Sequence, residues 1–115
     1  MRGTGENTDI LSVQAVLVRV ADQLKKAKSR TDDPEKIKAI NHELIEVNHR
    51  ITMTGALIFH KRTIKITEAA RKVKDARVEV ELEIKRVDKI NSFIKKISAF
   101  LALVDKVIDL AKLVI

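Results

Sequence analysis

His42, His49 and His60 are the only histidines in the chain. Imidazole binds transition metals and changes charge near neutral pH. Read on one helix, their spacings of seven and eleven residues put all three at about 120° to 140° from the apolar stripe described below. Glu46 lies one turn from His42, and Glu46-Val47-Asn48-His49 has a Glu-x-x-His form. Bundle metal sites built on carboxylates use that form twice, with two further Glu, inside the core. Here it occurs once and lies nearly opposite the apolar stripe, so the expectation is three solvent-facing histidines, with no metal and no cofactor.

Glu79, Glu81 and Glu83 resemble an acidic ligand set in spacing, but helical residues two apart point about 200° away from each other. The chain has no Cys, which excludes disulfides, thiolate metal sites and a thiol nucleophile. No Ser–His–Asp set, Gly-rich phosphate loop or His-Glu-x-x-His sequence is present. The expectation is a non-catalytic protein with no small-molecule substrate.

Lys and Arg total 23 against 16 Asp and Glu, a net charge of +7, which favours polyanionic partners. A basic face of Lys61, Lys65, Arg71, Lys72 and Lys74 is the densest such feature. No aromatic residue interleaves with it for base stacking, so nucleic acid is a poor candidate. An anionic membrane surface is compatible with the charge. No run of about 20 apolar residues marks a spanning helix, and no secretory signal is visible, so a cytoplasmic location is expected.

The elements that position these residues are helical. Three Gly, one Pro and three aromatic residues, all Phe, in a chain that is 45% hydrophobic and 34% charged exclude loop-rich and Gly-rich folds. After a lead-in over 1–8, a first helix is expected over 9–30, capped by Thr8 or Asp9. Ile10, Val13, Val16, Leu17, Val20, Leu24 and Ala27 form its stripe. Thr31-Asp32-Asp33-Pro34 is the one clear break, with Asp33 as the next cap and Pro34 at the first helical position.

From Ile37 to Val87 the apolar residues hold to one helical phase within about 80°. This predicts one long helix over 34–88, roughly 75 Å in length. Two alternating runs, Ile64–Thr67 and Val78–Ile84, are strand signals, outweighed by the long phase match and the lack of turn residues. Gly55 lies on the stripe and reads as close packing or a slight bend. Arg62, also on the stripe, reads as snorkelling or as paired to an acid of a neighbouring segment. Past Val87 the stripe rotates by roughly 120°, which places a third helix over 92–115, capped by Asn91 or Ser92.

The predicted architecture is all-α in a single domain: one long central helix with a shorter antiparallel helix on each half. Such a layer leaves apolar surface in water, so completion into four-helix layers by a homo-oligomer, or docking on a helical protein partner, is expected. Val16, Val20, Leu24, Phe93, Ile97, Phe100, Val104 and Ile108 are the candidate core and interface residues. A compact three-helix bundle, with the long helix broken near Thr54-Gly55, is the competing architecture. The predicted function is a protein–protein interaction or oligomerisation module. The alternative is a basic amphipathic membrane-active protein, or a subunit of a helical pore or toxin assembly. There the wide apolar arc of the last helix enters lipid while Lys95, Lys96, Lys106 and Lys112 meet headgroups.

Overall fold

The computed structural model describes residues 6–87 and 89–113. It is all-helical, with α1 over Thr8–Ser29, α2 over Pro34–Gly55, α3 over Ile64–Ile84 and α4 over Ile90–Lys112. The long helix expected over 34–88 is therefore two helices, and the fold is a four-helix bundle of about 50 × 20 × 20 Å.

Each start has a local cause. Asn7, the cap of α1, accepts from the backbone N–H of Asp9 (3.0 Å) and Ile10 (3.2 Å). Thr8 and Asp9, the expected caps, already belong to the helix. Of the expected lead-in, residues 1–5 lie outside the described residues, and Asn7 is buried. Asp33 caps α2 through Glu35 N–H (2.9 Å), with Pro34 behind it. Thr63 caps α3 through Ile66 N–H (3.2 Å). α4 begins at Ile90, ahead of Asn91 and Ser92, and has no side-chain cap. Ser92 instead donates to Glu83 Oε1 (2.8 Å). Residues 114–115 of the expected last helix lie outside the described residues.

The packed pairs are α1 with α2, α3 with α4, α1 with α3, and α2 with α4. Around the bundle the order is α1, α2, α4, α3. Two antiparallel hairpins thus lie side by side, with α1 parallel to α3 and α2 parallel to α4. The segment 56–63 crosses the diagonal at one end.

That crossover escapes the sequence because it lacks Pro and Gly beyond Gly55. It turns through Leu57 N–H to Thr54 C=O (2.9 Å) and His60 N–H to Leu57 C=O (3.0 Å), with Leu57 buried as its anchor. Long-range bonds hold it. Asn7 N–H donates to Ile58 C=O (2.5 Å) and the Asn7 amide to His60 C=O (3.0 Å). Buried Asp9 accepts from Arg62 Nε (2.8 Å) and the Thr67 hydroxyl (2.6 Å), which supplies the acid that Arg62 was expected to find. Gly55 is a close approach: a Cβ there would lie 3.3 Å from Gln14 Nε2, which donates to Ile51 C=O (3.2 Å).

The single phase had a geometric origin. At about 100° per residue the buried faces of α2 (Ile40, Val47, Thr54) and α3 (Ile66, Val73, Val80, Ile84) differ by roughly 85°. A tolerance of about 80° either side covers nearly half the circumference, so two helices of different orientation satisfied one stripe.

Val16, Val20, Leu24, Phe93, Ile97, Phe100, Val104 and Ile108 are all buried within this one chain, around the fully enclosed rings of Phe93 and Phe100. Burying a side chain of this size stabilises by roughly 1.5–3 kcal/mol. The homo-oligomer was inferred from a core left open to water, and here two hairpins of the same chain close it.

Light scattering across a dilution series is therefore expected to return the mass of one 13.0 kDa chain. A dimer that persists on dilution would overturn this expectation and place a second copy on the exposed apolar side chains of the bundle. Replacing Asp9 with Ala removes the buried acceptor of the Thr67 hydroxyl and of Arg62, while the exposed guanidinium stays in water and Thr67 keeps its bond to Thr63 C=O (3.1 Å). The expected loss is about 1–2 kcal/mol of unfolding free energy in urea titrations, against a change near zero for Asp22→Ala on the exposed face of α1.

Candidate functional site

The surface is organised by what α3 cannot bury. Its alternating run Val78-Glu79-Val80-Glu81-Leu82-Glu83-Ile84 is folded as helix, so neighbouring apolar residues two apart point to opposite sides. Val80 and Ile84 are buried, while Val78 is 57% and Leu82 51% exposed. The same split separates buried Ile66 from Ile64, 78% exposed. An outer apolar row, Ile64, Val78 and Leu82, thus runs along α3 with Arg71 between. Arg62, Ile64, Thr67, Glu68 and Arg71 line a shallow depression of about 500 Å³ at its start.

The acidic triplet diverges. Glu79 pairs with Lys96 of α4. Glu81 takes Arg19 of α1 (3.0 Å) and Arg77 of its own helix (2.7 Å). Glu83 accepts from Ser92. These contacts tie α3 to both neighbours and gather no ligand set.

The predicted basic face is not one face. Lys61 is in the crossover, Arg71 borders the outer row, and Lys74 is exposed. Lys65 and Lys72 turn towards α4, where with Lys106 they rim a groove of about 490 Å³ floored by Ala69, Leu103 and Leu110. Glu68 shares the rim. The contribution of α4 was missed because Lys106 lies far away in sequence. Its signal was the wide apolar arc that contains Leu103 and Leu110.

The histidines separate. His49 is exposed on α2, and His60 is half-buried in the crossover. Exposed His42 places Nδ1 2.9 Å from Oε2 of Glu43, which is buried in the α2–α4 seam. That hydrogen bond, with the Glu43 charge and a smaller effect of Glu46, raises the His42 pKa above its ordinary value. Close by, Lys38, Ala39, Ile90 and Ile94 complete a pocket of about 350 Å³. Further along the seam, Arg50 grips both Asp105 oxygens (2.8 and 3.0 Å) and Glu46 (3.1 Å). Its pKa is raised, chiefly by the Asp105 hydrogen bond. Among the described residues no cluster of three or more His, Cys, Asp or Glu could hold a metal ion, and no helix is long and apolar enough to cross a membrane.

Because the folded His42 pKa lies above the unfolded one, its stabilisation is full below the unfolded value and lost as pH rises through the folded one. The urea midpoint of the native chain should exceed that of His42→Gln at about pH 5.5, and the gap should close by about pH 9. A gap of the same size at both would exclude the charged pair. Comparison with protein-family models, with curated proteins and with solved structures gives no match for the chain.

Proposed function

We propose that the chain is a non-catalytic helical interaction module that docks a helix of a protein partner along the outer row of α3. The observation that carries this reading is the exposure of Ile64, Val78 and Leu82 on a bundle whose core is already closed. Ile64, Arg71 and Val78 are spaced at sevens, and Leu82 follows one turn after Val78. A partner helix crossing at a shallow angle meets such positions repeatedly. Arg71 and Asp75 along the row, with Lys74 and Glu68 on its two flanks, give it charges of both signs, which select partner and register. Nothing inside the bundle requires Val78 or Leu82 to be apolar.

A photo-reactive phenylalanine analogue in place of Val78 or Leu82 tests this in cells. Both positions are expected to give one discrete adduct, and the same analogue at Lys25, on the exposed side of α1, to give none. Absence of adducts at both positions, or the same pattern from all three, would remove the row as a docking surface.

A further inference from the structure

We infer that the groove between α3 and α4 is a second contact surface, which seats the chain on an anionic lipid surface. It does not depend on the outer row of α3. The Ser92–Glu83 and Lys96–Glu79 contacts fix the antiparallel register of the two helices. Carried along the seam, that register sets Leu103 near Lys72, Lys106 near Ala69 and Leu110 near Lys65, and these six residues line the groove. Lys65 and Lys72 stand about 10 Å apart along α3, with Lys106 across from the middle. The three ammonium groups belong to no ion pair among the described residues, whereas Lys96, further along the same seam, is held by Glu79. The groove therefore offers three cations to an external anion, offset only by Glu68 on its rim.

The open end of the groove indicates the source of that anion. Leu113 lies one turn beyond Leu110 and is 77% exposed. At the same end, Phe59 in the crossover is 68% exposed. A free phosphate or a small acid has no use for these side chains. An anionic bilayer surface uses both kinds of group, with apolar side chains at the level of the acyl boundary and lysines among the headgroups. Lysine also suits this role better than a specific carboxylate clamp, for which the planar fork of Arg is preferred.

Flotation with extruded vesicles tests the inference on the full chain. One set contains phosphatidylcholine alone and the other about 30% phosphatidylglycerol, near physiological salt. The native chain is expected to float with the anionic vesicles only. The triple variant Lys65→Gln, Lys72→Gln, Lys106→Gln should lose at least about tenfold in bound fraction. A triple variant of equal charge change at the other end, Lys26→Gln, Lys28→Gln, Lys38→Gln, should lose less than about twofold. Phe59→Ser with Leu113→Ser, both exposed, should also weaken binding while circular dichroism shows an unchanged fold. Failure of the native chain to float overturns the inference. So does equal loss in both triple variants, which would mean attraction by net charge alone. Loss of native flotation on adding millimolar inorganic phosphate at constant ionic strength would also overturn it, by assigning the groove to a free anion.

Discussion

The bundle depends on the grip that the start of α1 has on the crossover. Asn7 uses its side-chain oxygen to cap α1, its backbone N–H to hold Ile58 C=O and its side-chain amide to hold His60 C=O. Two residues on, buried Asp9 collects Arg62 and Thr67. These bonds convert a stretch without turn residues into a fixed diagonal. They thereby decide that α3 runs beside α1 in parallel, with its face of Ile66, Val73 and Val80 turned inward. A different path for 56–63 would present another side of α3 to the core. Leaving such buried polar groups unpaired costs about as much as several good surface contacts supply.

The polar contacts between hairpins are arranged by seam. Glu81 sits between Arg19 and Arg77 on the α1–α3 side, and Arg50 sits between Glu46 and Asp105 on the α2–α4 side. Only the Arg19–Glu81 pair has a mainly exposed cation, and pairs of that kind contribute about 0.2–1 kcal/mol. The Arg50–Asp105 pair is better shaped, because two guanidinium nitrogens meet the two carboxylate oxygens. Cohesion still comes chiefly from the apolar interior around Phe93 and Phe100. The ion pairs fix which helix lies beside which, and the interior supplies the drive to close.

Much of this was legible in the residues. The helical class, the break at Asp33-Pro34, the stripe of α1 and the buried residues of α4 followed from spacing and capping chemistry. The division of α2 from α3 did not. Its markers, Thr52, Thr54 and Gly55, are weak, and the decisive bonds come from Asn7, about fifty residues earlier in the chain. The alternation at Val78–Ile84 was visible as a conflict between period two and period 3.6. Its meaning, an apolar row left outside, required knowing that the segment is helical. The groove at Lys65, Lys72 and Lys106 was illegible for a related reason. Its floor comes from two helices whose register is set by Glu79–Lys96 and Glu83–Ser92, contacts that no local pattern announces.

The parallel seating of α1 against α3 and of α2 against α4 also bears on the order of assembly. Contacts within each hairpin span short loops and are fast to form. Contacts between hairpins must wait until the diagonal segment is in place, since before then nothing selects which face of the second hairpin meets the first. The Asn7 and Asp9 bonds, which join residues more than fifty apart, are among the contacts with the largest loop-closure cost in the fold.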